Sequence, residues 1–225
     1  YLVVVIAFFT WLFMAGQWTK EERKRLIVIV VLFAGAAVFW SAFEQAASTL
    51  NLFAAQNTRN SIFGWTFPSS WFQSVNALMI IIFAPVFAWI WISLGKRDPS
   101  SPAKFAFGLV SVGLGFVVMV GAAQASANGV LVSPMWLVVT YLLHTIGELS
   151  LSPVGLSSMT KLAPDRVKGM MMGVWFLAAS VGNLIAGGVL RFYADFTLPQ
   201  VFGAVAAFAI IAGVVMFALV LAIKR

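Results

Sequence analysis

The sequence contains no cysteine and few charged residues, and both shortages limit what the protein can be. Without cysteine it has neither disulfide bonds nor thiolate metal sites. Charged residues make up 9% of the 225 positions, against about a quarter in a typical soluble domain. With 62% hydrophobic residues and a mean hydropathy of +0.99, the chain is predicted to be an integral membrane protein. Short alternating strands are also missing, which favours membrane-spanning helices over a β-barrel.

The start of the chain lacks the features of a translated N-terminus. There is no initiator Met, no basic region and no small-residue cleavage site, and Tyr1 already lies inside a hydrophobic run. A signal peptide is therefore not predicted. We expect the chain to be a piece of a longer polypeptide.

Apolar runs predict seven membrane-crossing helices. Each run has about the length that ~20 residues need to cross the hydrocarbon core. The connectors between them are too short to hold a second domain. The predicted segments are 1–18, 26–55, 71–95, 105–127, 135–160, 170–190 and 201–223.

The basic residues test this count, because seven spans place alternate connectors on opposite sides of the membrane. Twelve of the 14 basic residues fall on one side, which predicts a cytoplasmic C-terminus. They are spread over helix ends and form no stripe, so the net charge of +7 does not indicate nucleic-acid binding. The twelve are Lys20, Arg23, Lys24, Arg25, Lys96, Arg97, Lys104, Lys161, Arg166, Lys168, Lys224 and Arg225, and the other two are Arg59 and Arg191.

Two of the seven acidic residues, Glu44 and Glu148, lie inside predicted spans. A carboxylate at the bilayer centre costs about 2.5–3.5 kcal/mol on insertion scales, so an intramembrane acid indicates a functional site. A purely structural pairing between helices is the alternative. Helical spacing places Tyr141, His144 and Ser152 on the stripe of Glu148, and we expect this stripe to face a wet cavity.

A similar polar stripe surrounds Glu44. Trp40, Ser48 and Asn51 share its helix face, with Gln45 and Thr49 beside it. In the next segment the amides of Gln73 and Asn76 lie deep enough to need partners within the membrane. His144 is interpreted as a satisfied polar packing group in preference to an obligatory proton relay.

Apart from the first segment, the helices form two groups of three. The leading helix of each group carries one acid, and these two helices run in opposite directions. Such inverted three-helix units, with polar groups near mid-depth, are typical of one six-helix half of a major facilitator transporter. Small residues predict close helix approach in the sixth segment, at Gly169, Gly173, Gly182, Gly187 and Gly188. Pro153, five residues after Glu148, makes a bend plausible there.

Three stretches resemble one known family. FWSAFEQAASTLNLFA, GELSLSPVGLSSMTKLAP and GVWFLAASVGN are similar to the seventh, tenth and eleventh helices of the proton-dependent oligopeptide transporters, and the match extends from Leu26 onward. The resemblance implies an all-α membrane protein whose residues 20–225 form the C-terminal six-helix bundle of a major facilitator transporter. Residues 1–19 would be the second of two extra helices that bacterial members insert between their halves.

The resemblance also implies roles for individual residues. Glu148 with Asn76 would receive the peptide ammonium, and Glu44 would bind a proton and form a salt bridge to the first helix. Trp175 would line a side-chain pocket, with Trp40 and Ser152 facing the same cavity. The family often has a serine shortly after that tryptophan, whereas alanines at 178 and 179 precede a serine here, so the side-chain preference of the pocket is open.

The deep residues agree with the resemblance on one point. A zwitterionic peptide needs an acceptor for its ammonium and a cation for its carboxylate, and the predicted spans supply deep acids without a deep Lys or Arg. The carboxylate partner must then come from elsewhere, and the resemblance implies that basic residues of the N-terminal half supply it.

The resemblance thus implies that the chain is the C-terminal half of a proton-coupled di- and tripeptide symporter of the bacterial inner membrane, monomeric as the full transporter and without a cofactor other than the proton. A related carrier for nitrate or a glycoside is the nearest alternative, and a structural membrane subunit is a further one. An enzyme is not expected, because no HExxH motif, paired aspartates or Ser/Lys dyad lies at depth.

Overall fold

A computed structural model of the chain describes residues 2–223, with side chains described for 2–192 and 195–219. Tyr1 and the predicted cytoplasmic residues Lys224 and Arg225 lie outside the described residues. The described part is helical apart from a two-stranded hairpin of β1 (Ser61–Ile62) and β2 (Trp65–Thr66). Its α-helices are α1 (Leu2–Ala15), α2 (Lys20–Phe43), α3 (Thr49–Gln56), α4 (Phe72–Leu94), α5 (Ser101–Ala125), α6 (Met135–Leu162), α7 (Met171–Asp195) and α8 (Leu198–Ile223).

Within the described residues, six helical spans are long and apolar enough to cross a membrane, with α2 and α3 together forming the first. The helix in the first predicted segment, α1, has 14 residues and is shorter than each of these six spans. It ends where the chain folds back and the Trp18 indole donates to the carbonyl of Leu12 at 2.7 Å. Phe9 of α1 packs edge-on against Phe33 of α2, with ring centres 5.0 Å apart.

Local sequence explains where α2 and α5 begin. Thr19 caps α2 in a reciprocal pair, because its hydroxyl accepts from the Glu22 amide while the Glu22 carboxylate accepts from the Thr19 amide. At α5 the cap residue is Ser100, followed by Pro102 in the first turn, where a proline sacrifices no helical hydrogen bond. Polar connectors thus end the apolar runs.

The predicted continuous helix 26–55 is wrong in one respect. The α-helix ends at Phe43, a 3₁₀ turn covers Glu44–Ala47, and Ser48 has φ −121° and ψ −94° before α3 resumes. One of the two membrane acids therefore lies at a break in the helix.

Close helix contacts occur at other glycines than most of those predicted. A Cβ on Gly108 of α5 would lie 2.9 Å from the carbonyl oxygen of Gly147 in α6. Of the predicted set, Gly182 packs tightly, since its Cβ position is 2.9 Å from the carbonyl oxygen of Ala37. At the other four, no neighbouring element of the described chain lies within 4 Å of the Cβ position, so the predicted close approach does not occur within this chain: Gly169, Gly173, Gly187 and Gly188.

The bundle has two chemically different ends. At the hairpin end, Thr58 forms an isolated bridge with Val132, which joins the α3–β1 and α5–α6 connectors. At the other end lie the start of α2 and the connectors 95–100 and 163–170, which we call the basic end. There Arg166 lies close enough to Glu22 for their charges to interact. Helix α4 packs chiefly on α6, while α5 lies between α6 and α8.

Candidate functional site

Glu148 of α6 and Asn76 of α4 are in direct contact. The Asn76 amide donates to one Glu148 carboxylate oxygen at 3.1 Å and to the Thr145 hydroxyl at 3.0 Å. Thr145 in turn donates to the carbonyl of Tyr141 at 2.8 Å. Both Asn76 and Glu148 are half-buried. The amide is thereby held by two acceptors, and the second carboxylate oxygen remains available for a cation.

Glu44 lies at the helix break and is also half-buried. Its charge is close enough to act on Glu148. Within the described residues neither acid forms a salt bridge, and the two ion pairs found there lie in or near the connectors. A half-buried carboxylate is stabilised by a hydrogen-bonded cation, so this part of the bundle favours an arriving cation.

Gln45 is fully buried beside Glu44, so its predicted place on a wet stripe is wrong. Its amide nitrogen donates to the carbonyl of Ser41 at 3.1 Å and of Ala186 in α7 at 3.4 Å. Its amide oxygen accepts from the hydroxyls of Ser48 at 3.2 Å and Thr49 at 3.0 Å. The Gln45 side chain therefore satisfies polar groups around the break and ties it to α7.

The stripe predicted around Glu148 divides in the structure. Tyr141 and His144 are buried in protein, so their predicted exposure to a wet cavity is wrong. The His144 ring lies 5.1 Å from that of Phe116 and occupies space left by Gly115 in α5. His144 lies near the backbone of Val112, but neither ring nitrogen makes a hydrogen bond of good geometry. Its burial agrees with the interpretation of His144 as a packing group, and its hydrogen bonding stays a prediction.

The three other predicted site residues are placed differently from one another. Trp40 is half-buried and packs edge-on against Phe43 with ring centres 5.3 Å apart. The Trp40 indole nitrogen and the Ser152 hydroxyl are both buried without a hydrogen-bond partner in the described structure. The Trp175 ring is 5% exposed and packs into the space above Gly155. Their role at a substrate site stays a prediction.

Thr145 and Gln45, each close to an acid along the chain, make contacts that sequence reasoning did not predict. Thr145 lies three residues before Glu148, so helical spacing alone places it on the same face. Gln45 carries no such signal, because its partner Ala186 is 141 residues away.

Pro153 lies within α6, which continues through it to Leu162.

A cavity elsewhere in the described structure is apolar and separate from the two membrane acids. An apolar cavity of about 470 Å³ lies between α2, α7 and α8. Its lining includes Ser41 and Gln200 but neither membrane acid. Among the described residues no group of three or more acidic or histidine side chains is placed to hold a metal ion.

Comparisons with known proteins agree with this architecture. The family model described as PTR2, POT family, matches residues 2–205. The peptide transporter YePEPT of Yersinia enterocolitica subsp. palearctica serotype O:3 is 45% identical over 236 residues, covering 100% of this chain and 46% of the relative. A di-/tripeptide transporter of Lactococcus lactis subsp. cremoris is 33% identical, covering 96% of this chain and 44% of its own length. The chain thus spans slightly less than half of these relatives.

Solved structures confirm the predicted fold. A crystal structure of the peptide transporter POT in complex with sulfate superposes with a TM-score of 0.92 at 39% identity, covering 97% of this chain and 44% of that one. A POT family transporter in complex with a thioalcohol-conjugated peptide gives 0.91 at 30% identity, covering 100% of this chain and 47% of that one. The chain therefore has the fold of one part of such a transporter.

Proposed function

The chain belongs to the POT family, and on that premise we propose that it forms the C-terminal half of a proton-coupled symporter for di- and tripeptides. The observation that carries the proposal is the contact between Asn76 and Glu148. A half-buried carboxylate with one oxygen held by an amide is a receptor for an ammonium group. The named relatives are peptide transporters, which supports a peptide as the source of that ammonium.

The peptide ammonium would sit between Glu148 and Asn76. The charge of Glu148 attracts the cation, and the Asn76 amide oxygen adds an acceptor beside it. The peptide carboxylate needs a cation that this site does not offer, and we propose that the N-terminal half of the same polypeptide supplies it. The site is then complete only when both halves close around the substrate.

The proton would act as the coupling ion through the same pair of acids. A charged Glu44 or Glu148 can form a salt bridge to a cation of the other half, and protonation removes the charge and breaks that bridge. Because the two acids feel each other's charge, a proton on one changes the energy of a cation at the other. Proton binding, peptide binding and the exchange between inward-open and outward-open states are thereby linked.

The remaining predicted residues would shape the cavity. Trp40 and Ser152 each lie one helical turn from an acid, and we propose that their side chains border the same cavity. Trp175 would border the pocket for a peptide side chain. We propose a multi-pass protein of the bacterial inner membrane, with a cytoplasmic C-terminus, that works as a monomer and carries out no enzymatic reaction.

Uptake into proteoliposomes that hold the full transporter tests this proposal. An inward proton gradient should drive accumulation of labelled dialanine. No stimulation by the gradient would overturn the proposal.

Competition identifies the substrate class. Unlabelled dipeptides should block uptake, whereas single amino acids, a glycoside and nitrate should not. Nitrate is disfavoured by the carboxylates, since an anion next to Glu148 is repelled. Competition by nitrate or a glycoside at lower concentration than dipeptides would favour a carrier for that solute instead.

A further inference from the structure

Lys104 is buried, although the sequence pattern places it in a charged connector. Its exposed fraction is 7%, and its ammonium lies 2.8 Å from both carboxylate oxygens of Asp98. The same ammonium lies 4.2 Å from the ring centre of Trp91. Lysine is almost never buried to this extent without partners, so this contact is specific.

The three partners come from three successive parts of the chain. Trp91 lies in the last turn of α4, Asp98 in the connector, and Lys104 in the first turn of α5. Close by, the Ser158 hydroxyl of α6 donates to that of Ser101 at 2.8 Å. Lys104 therefore connects the end of α4 to the start of α5, next to the Ser101–Ser158 hydrogen bond between α5 and α6.

Within the described residues helix α4 makes few contacts. It packs chiefly on α6, and among its described residues Phe72 alone is buried. Its polar attachment lies near the hairpin end, where Asn76 contacts Thr145 and Glu148. Lys104 supplies the second attachment, at the opposite end of the helix.

A change at one attachment should reach the other along the helix. Trp91 lies 15 residues after Asn76 within α4, which corresponds to about 22 Å at 1.5 Å per residue. The helix continues through Pro85, which removes one backbone hydrogen bond and makes this stretch less stiff. The transmitted displacement is therefore partial, and its effect should be a few-fold one.

We propose that Lys104 is a positioning residue for the substrate site, which sets where Asn76 meets Glu148 by holding the end of α4. The proposal rests on the proposed function, because that pair matters only if a substrate cation binds there. Lys104 touches no substrate in this account. Its influence on transport passes through Asn76.

Spin labels test whether Lys104 holds α4, without reference to transport. The chain has no cysteine of its own, so two introduced cysteines can carry the labels. We would use Ser93→Cys in α4 and Phe107→Cys in α5, both at exposed positions, in a full transporter whose other cysteines are replaced. Lys104→Met should broaden the distance distribution, whereas Lys104→Arg and the exposed control Lys96→Met should leave it unchanged. An unchanged distance distribution in Lys104→Met would show that Lys104 does not hold the end of α4.

Transport kinetics test whether the anchor acts through Asn76. Lys104→Met should raise the KM for dialanine about threefold with little change in the maximal rate, and Lys104→Arg should restore it. In a background of Asn76→Ala, Lys104→Met should add no further increase. The same increase in both backgrounds would show independent sites and refute the proposal. Absence of dialanine uptake by the wild type would refute the proposed function instead, while the spin-label distances would still decide whether Lys104 holds α4.

Discussion

Gly108 and Gly147 face each other across α5 and α6 with no room for a side chain between them. A Cβ on either residue would meet the carbonyl oxygen of the other, at 2.9 Å from Gly108 and 2.8 Å from Gly147. Such distances force the backbone to shift. Gly147 directly precedes Glu148, so this contact sets how the carboxylate is presented.

Gly147→Ala should therefore destabilise the protein by about 1–3 kcal/mol, the usual cost of overpacking. Thermal unfolding of the purified transporter in detergent measures this. Gly173→Ala is the matched control, since nothing lies within 4 Å of its Cβ position and alanine is the better helix former. Equal melting temperatures for both variants would contradict the packing account.

Asn76→Ala should weaken peptide binding. It removes the amide that holds Glu148, and a hydrogen bond to a charged group contributes about 1.5–3 kcal/mol. The KM for dialanine should then rise by about tenfold or more. Gln73→Ala is the control, because Gln73 is exposed one turn earlier on the same helix. A KM unchanged in Asn76→Ala would remove this residue from the site.

Gln45→Leu should destabilise the break in the first span. The leucine leaves the Ser41 and Ala186 carbonyls and the Thr49 hydroxyl without their buried partner, at about 1–3 kcal/mol for each unsatisfied group. Thermal unfolding is the measurement, and Gln56→Leu at the exposed end of α3 is the control. If Gln45→Leu unfolds no earlier than Gln56→Leu, the network is not what stabilises the break.

Trp175→Ala separates a pocket role from a packing role. Loss of the buried ring should cost about 3–5 kcal/mol of stability in either case. If the ring also borders the substrate pocket, the enlarged pocket should favour dipeptides with bulky side chains. The ratio of uptake for a Phe-containing dipeptide to that for dialanine measures this. An unaltered ratio would assign Trp175 to packing alone.

Much of the fold can be predicted from the sequence. An apolar run in a lipid bilayer must form its backbone hydrogen bonds internally, and an α-helix does so. The predicted segments 71–95 and 135–160 fall close to the observed α4 and α6. Polar residues within such runs need partners, and this reasoning singled out Asn76 and Glu148, which are in contact. Local sequence patterns were therefore sufficient to predict these helices and the polar residues that pair between them.

Tertiary contacts decided the rest. The break at Glu44 contains neither proline nor glycine, and it is held by Gln45 reaching a carbonyl 141 residues away. His144 lies on the same helix face as Glu148, but Gly115 lets α5 come so close that the ring is buried. Spacing along one helix carries no information about how near its neighbour lies. The burial of Lys104 against Asp98 and Trp91 could not be predicted from spacing for the same reason.

The most direct test of the account replaces Glu148 by glutamine in the full transporter and follows labelled dialanine in proteoliposomes under an inward proton gradient. Glutamine keeps the size of the side chain but carries neither the negative charge nor a titratable proton. Glu21→Gln serves as the control, because Glu21 is an exposed surface residue paired with Lys24. The account predicts that Glu148→Gln abolishes gradient-driven uptake in a folded protein while Glu21→Gln transports normally. Normal gradient-driven uptake by Glu148→Gln would contradict it.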